Sequence, residues 1–122
     1  MWQEFFMQII LFERIGKRCV SLEDGLNIYP DLLSSLKKKE IAHINFKSVE
    51  KVYTPFLNGA FGGLFKYYDK EYILGHLSFF KISAEHLEKI NEFIDDIDLQ
   101  DTDRKFRETL KEFYDEDSLS DL

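Results

Sequence analysis

A single cysteine in 122 residues, Cys19, excludes an intrachain disulfide and fits a reducing compartment. Beside Val20 it reads as a small buried hydrophobe. Long apolar runs are missing too, so no segment is long enough to cross a bilayer. The apolar N-terminus, MWQEFFMQIILF, has no basic leading region and carries Gln3, Glu4 and Gln8. It reads as a strand buried on both faces and not as a targeting signal, and the expected location is cytoplasmic. Basic charge is scarce as well: 16 Lys and Arg stand against 23 Asp and Glu, for a net charge of −7. That shortage argues against direct nucleic-acid binding, which needs basic surface to release phosphate counterions.

Chemistry-bearing motifs are equally sparse. His43, His76 and His86 show no metal-ligand spacing, and no cysteine or carboxylate set completes one. His43, on an apolar strand, reads as a hydrogen-bonded core or interface residue. Gly59, Gly62 and Gly63 fall inside a helical pattern and not before one, so they are no nucleotide fingerprint. With no nucleophile motif and no paired-carboxylate site, the expectation is a non-enzyme with no cofactor and no metal. No repeat, low-complexity tract or linker divides the chain. The expected organisation is one domain over residues 1–100, followed by a C-terminal helix and acidic tail over 101–122.

What is present is a folding sequence, 44% hydrophobic and 16% aromatic, with enough apolar surface to offset chain entropy. A first strand over residues 5–12, a turn at Gly16-Lys17 and a second short strand over 18–20 suggest a hairpin. Ser21 before Leu22-Glu23-Asp24 marks a helix start, with Leu26, Tyr29, Leu33 and Leu36 at helical spacing. Pro30 leaves two readings open: the helix kinks there, or it begins in earnest there. Lys37, Lys38 and Lys39 fall at its end, where cations favour the helix dipole.

Residues 41–46 read as the central strand, with Ala42, Ile44 and Phe46 on one face. A polar connection over 48–53 leads to Thr54-Pro55, a helix start in which Thr54 caps and Pro55 takes the first turn. Along that helix, to about residue 68, Phe56, Ala60, Leu64 and Tyr67 form a stripe that Leu57, Phe61 and Phe65 broaden. Glycine inside a helix costs about 1 kcal/mol relative to alanine. Gly59, Gly62 and Gly63 therefore point to close approach of this helix to the sheet or to a partner. Residues 72–80 read as a strand bent at Gly75, joined by a parallel crossover. Ser83 starts a helix with Leu87, Ile90, Ile94 and Ile97 on one face, a polar break follows over 98–103, and Phe106, Leu110 and Phe113 mark a last amphipathic helix. The tail over 115–122 is expected to fray.

This βαβαβα order gives an α/β class with a small, mainly parallel sheet flanked by helices and an extra C-terminal amphipathic helix. The run HINFKSVEKVYTPFLNGAFGGLF resembles the signature of the STAS-like domain family, small bacterial and phage relatives of anti-sigma factor antagonists. The matching residues are Asn45-Phe46, Ser48-Val49 and the run that starts Thr54-Pro55-Phe56-Leu57-Asn58. Similarity extends over about residues 15–97. The resemblance implies a regulatory module that acts by docking a protein, a histidine-kinase-like ATPase or another regulator, without a membrane and with a homodimer compatible. It also places Thr54 at the position phosphorylated in true antagonists. Tyr53, Pro55 and Phe56 depart from the Asp-Ser-Ser-Gly-like turn found there. The contact set on this reading is Ser48, Lys51, Tyr53, Thr54 and Asn58, and the plain alternative for Thr54 is that of a helix cap alone.

The acidity suggests a second function. Residues 1–84 carry 11 basic and 9 acidic side chains, whereas residues 85–122 carry 5 and 14. The alternative expectation is an acidic inhibitor or decoy, phage-encoded and directed against host defence, in which Asp95, Asp96 and Asp98 present carboxylates to the basic surface of a nucleic-acid-binding protein. An ordinary solvated helix face accounts for the same charges.

Overall fold

The computed structural model describes the backbone of residues 7–113 and the side-chain surroundings of residues 8–100. In chain order the elements are β1 (Met7–Ile10), α1 (Leu11–Arg14), β2 (Arg18–Cys19), α2 (Leu22–Lys37), β3 (Ala42–Asn45) and β4 (Lys51–Val52). Then come α3 (Thr54–Phe61), a 3-10 turn (Gly62–Lys66) that prolongs it, α4 (Lys70–Gly75), β5 (Leu77–Phe80) and α5 (Ala84–Phe113). β3 is the middle strand of a three-stranded sheet, parallel to β1 on one side and to β5 on the other. The architecture is the expected α/β one. Ala42 and Ile44 of β3, and Phe46 just after it, are buried while His43 and Asn45, on the other face of β3, are half-buried.

The expected hairpin does not form. β2 pairs in parallel with β4 as a separate two-stranded ladder, Arg18 opposite Lys51 and Cys19 opposite Val52. The chain turns into α1 at Leu11, so the first strand is shorter than its apolar run, and Phe5 lies outside the described residues. Bonds from the Glu50 and Lys51 amides to the Lys17 carbonyl, at 2.8 and 3.2 Å, and from the Tyr53 amide to Cys19, at 2.9 Å, seal the ladder. The connection over 48–53 is thus partly a strand.

Residues 72–80 are not one strand either. The Asp69 carboxylate accepts from the Tyr72 amide at 2.8 Å and caps α4, which ends at Gly75 before β5 begins. The Tyr72 hydroxyl donates to the Leu36 carbonyl at 2.7 Å, which fixes α4 against the end of α2. A local cap and one distant bond outweigh the β-propensity of the segment.

Ser21 caps α2, accepting from the Asp24 amide at 3.0 Å, and the helix continues through Pro30. Its buried face is Gly25, Ile28, Leu32, Ser35 and Leu36, rotated from the expected stripe, so that Leu26 is 48% exposed. The rotation has a steric cause. A β-carbon on Gly25 would collide with the Phe56 carbonyl oxygen and sit 2.6 Å from the Ala60 nitrogen. One on Gly59 would strike the Leu22 carbonyl and sit 3.0 Å from the Leu26 nitrogen. The two helices cross backbone to backbone, and only glycine fits the crossing. The expected close approach of α3 is therefore to α2 and not to the sheet. Gly62 lies outside it: its β-carbon would meet only the Asn58 side chain, at 2.6 Å.

In α3 and the turn after it, Phe56, Leu57, Ala60, Phe61, Leu64 and Phe65 are buried, whereas Tyr67, placed on the stripe by spacing, is 59% exposed beyond the 3-10 turn. The tighter winding of 3-10 structure shifts every later residue off the α-helical face. α5 is one helix and runs through residues 98–103 without the expected break. Ser83 caps it, accepting from the His86 amide at 3.1 Å, and Ile90, Phe93 and Ile94 bury its inner face. The side chains of Phe106, Leu110 and Phe113 and the tail over 115–122 lie outside the described residues. No helix among the described residues is long and apolar enough to cross a membrane.

Gly59→Ala is expected to lower stability by about 1–3 kcal/mol through overpacking, despite its better helix propensity. Gly62→Ala, whose β-carbon meets one flexible side chain, should be near neutral. Urea unfolding of both proteins checks the pair, and equal midpoints would contradict the backbone crossing.

Candidate functional site

The turn into α3 is built from both sheets. Parallel strands deliver Phe46 to the C-terminal end of β3, where the Asn45 carboxamide oxygen accepts from the Lys47 amide at 2.8 Å. Ser48 then takes a left-handed conformation, φ 68°, and the chain enters β4. The helix cap is Tyr53 and not Thr54, and its side chain makes no capping bond. Thr54 is the first helical residue and is exposed. Cap residues need extended backbone. Tyr53 has it because its amide is held in the ladder by Cys19, which moves the start by one residue. Lys89 of α5 lies 5.2 Å from the Tyr53 ring centre, tying the turn to that helix.

Of the expected contact residues, Ser48, Lys51, Tyr53, Thr54 and Asn58 are all exposed. Thr54 and Asn58 are one turn apart on the same face of α3. Asn58 belongs to an open groove of about 340 Å³ between α2 and α3. Its walls are Leu22, Leu26 and Tyr29 on α2, its floor is Gly59, Gly62 and Gly63, and Lys66 stands with Asn58 on the far side. Leu22 and Leu26 are 45% and 48% exposed, large apolar side chains left at a concave surface. Sequence reasoning put Leu26 and Tyr29 on one helical stripe with Leu33 and Leu36 and so missed this wall. The signal for it was the pair Gly25 and Gly59, one in each helix, which brings the helices too close to bury those side chains.

The family described as a STAS-like domain of unknown function (DUF4325) matches residues 24–87, from the first turn of α2 into α5 and just over half of the chain. The chain belongs to this family. The match includes β3, the turn at Thr54, both crossing glycines and most of the groove. No curated protein and no solved structure matches the chain.

Elsewhere on the STAS-like domain, Asp95, Asp96 and Asp98, the described part of the expected acidic surface, differ in their surroundings. Asp95 pairs with Lys70 at 2.6 Å, and this hydrogen bond, ahead of the surrounding carboxylate charges, raises the lysine pKa. Asp98 is half-buried and lines a second open cavity with Asp69, Lys70 and Glu71, while Asp96 is exposed. Among the described residues no group of three His, Cys, Asp or Glu side chains could hold a metal ion. His76 stacks on Tyr72 at 4.0 Å, with Nδ1 2.8 Å from the Tyr72 carbonyl oxygen. His43 lies 5.1 Å from the Phe80 ring on the outer face of the sheet, and His86 is half-buried on α5.

Cys19 is fully buried, and burial, helped by the charge of Asp24, pushes its thiol up to about 12. The raised value holds the proton in the folded chain. Its contribution to stability is complete below the ordinary value of 9.0 and is lost as pH rises from there toward 12. Two outcomes are expected at pH 8: no reaction of Cys19 with a disulfide-exchange reagent in the folded protein, and full reaction in urea. Rapid labelling of the folded chain would contradict the burial.

Proposed function

We propose that this STAS-like domain is a non-enzymatic regulatory module that docks a protein partner through the turn and helix beginning at Thr54. One observation carries the reading. The exposed face of α3, from Thr54 through Asn58, leads into an apolar groove walled by Leu22 and Leu26, a concave surface with exposed anchors of the kind helical or extended segments fill. Family membership supports the same reading, because the resemblance to anti-sigma factor antagonists implies a partner at this turn.

The position of Thr54 also supports a switch at that surface. Its hydroxyl is exposed in the first turn of a helix, where unpaired N–H groups and the dipole tolerate added negative charge. A phosphate there would leave α3 intact and change what can dock beside Asn58. Because Tyr53 and not Thr54 is the cap, the two roles separate cleanly in mutants.

Thr54→Val should leave stability within about 0.5 kcal/mol, since the site is exposed and no capping bond is lost. Thr54→Glu should melt at or slightly above the parent temperature, yet lose the partner recovered by affinity capture from the native host. Leu26→Lys should lose it as well, by charging the groove wall. Undiminished recovery with both Thr54→Glu and Leu26→Lys would remove this surface from the account.

A further inference from the structure

The groove between α2 and α3 changes character along its length. Near the start of α2 its wall is Leu22 and Leu26, both nearly half exposed. Toward the other end it becomes cationic and phenolic. The Tyr29 ring lies against Gly63, and Lys66, one 3-10 turn later, lines the same groove. Lys37, in the last turn of α2, stands 5.8 Å from the centre of the Tyr67 ring. Tyr29 and Tyr67 are neighbours: burial first, and then the Tyr67 phenol, raises the Tyr29 pKa. Leu22, Leu26, Tyr29, Leu33 and Lys37 follow one another at steps of four and three along α2, so Lys37 continues the line of the apolar wall.

The two lysines are a local exception in a chain of net charge −7. Among the described residues neither has an ion pair, and the described lining of the groove contains no carboxylate. Asp69, the acid closest to Lys66 in sequence, is engaged in capping α4. Complementary charge decides which segments such a surface accepts. A basic segment would meet Lys37 and Lys66, and a phosphate backbone has no use for a leucine wall. From Leu22 to Lys37 the helix rises about 22 Å at about 1.5 Å per residue, the length of one helical segment of about 15 residues.

Building on the docking role proposed above, we infer that the groove takes a peptide segment of the partner that is apolar at one end and acidic at the other. Its apolar side chains rest on Leu22 and Leu26. Its carboxylates lie between Lys37 and Lys66, with the Tyr29 and Tyr67 hydroxyls as further donors. A displayed library of random peptides of about 15 residues, selected on the full chain and sequenced, tests this. Enriched peptides should be apolar toward one end and acidic toward the other. One of them, labelled and read by fluorescence anisotropy, should bind more weakly as salt rises and about tenfold more weakly to the variant carrying Lys37→Glu with Lys66→Glu. Leu26→Ala should weaken it too, while far-UV circular dichroism shows both variants folded. Lys37→Gln with Lys66→Gln stands in if the charge reversal does not fold, and should abolish most of the salt dependence. Leu26-dependent peptides that are neutral or basic, or whose binding ignores both lysines, would overturn the inference and leave the docking role intact. Selection that yields no Leu26-dependent peptide would overturn both. A concentration-dependent dimer that Leu26→Ala dissociates would assign the groove to a second copy of the chain and overturn the inference as well.

Discussion

The contact on which the rest of this structure depends is the crossing of α2 and α3 at Gly25 and Gly59. Each glycine lies against backbone atoms of the other helix, so neither helix can turn or withdraw without breaking the other's packing. The crossing fixes the rotation of α2, which sends Ile28, Leu32 and Leu36 into the core and leaves Leu22 and Leu26 outside. It also fixes the place where Phe56 and Phe61 of α3 enter the core, Phe61 edge-on to Phe79 of β5 at 6.2 Å. Glycine in a helix is unfavourable by about 1 kcal/mol, and the buried contacts made by two closely packed helices outweigh that.

The groove follows from the same constraint. Helices that carried side chains at their crossing would stand farther apart and meet along larger residues. Here they approach closely at Gly25 and Gly59, the Tyr29 ring lies against Gly63, and the winding changes from α to 3-10 at Gly62. An open concave surface remains, with apolar walls and a backbone floor. The turn at Thr54 is held from the other side, by the ladder of β2 and β4 and by Lys89 over Tyr53. A rigid helix with an exposed first residue beside a preformed groove would bind with little ordering cost, as the proposed docking role requires.

Parallel topology accounts for the asymmetry of the domain. Successive crossovers that step in one direction and share one hand place their helices on one side of the sheet. The core cluster is then single-sided: Ile9, Ala42, Ile44 and Leu77 are buried, whereas the alternate strand residues are half-buried or exposed.

The sequence by itself determined the α/β class, the central strand with its alternating Ala42, Ile44 and Phe46, the caps at Ser21 and Ser83, and the helical glycines that signal a close approach. These are local matters of periodicity and capping chemistry, set within a few residues. Only the tertiary structure decided the partners. β2 joins β4 and not β1, because pairing depends on where α2 carries the chain. Tyr53 replaces Thr54 as the cap because a distant carbonyl, that of Cys19, holds its amide. Residues 70–75 become helix because Tyr72 reaches Leu36, and α5 crosses the polar stretch over 98–103 that its composition suggested would break it. Leu26 lies outside the core because a backbone contact sets the rotation of α2, and a helical stripe read from spacing alone carries no information about which of two adjacent faces a neighbour will cover.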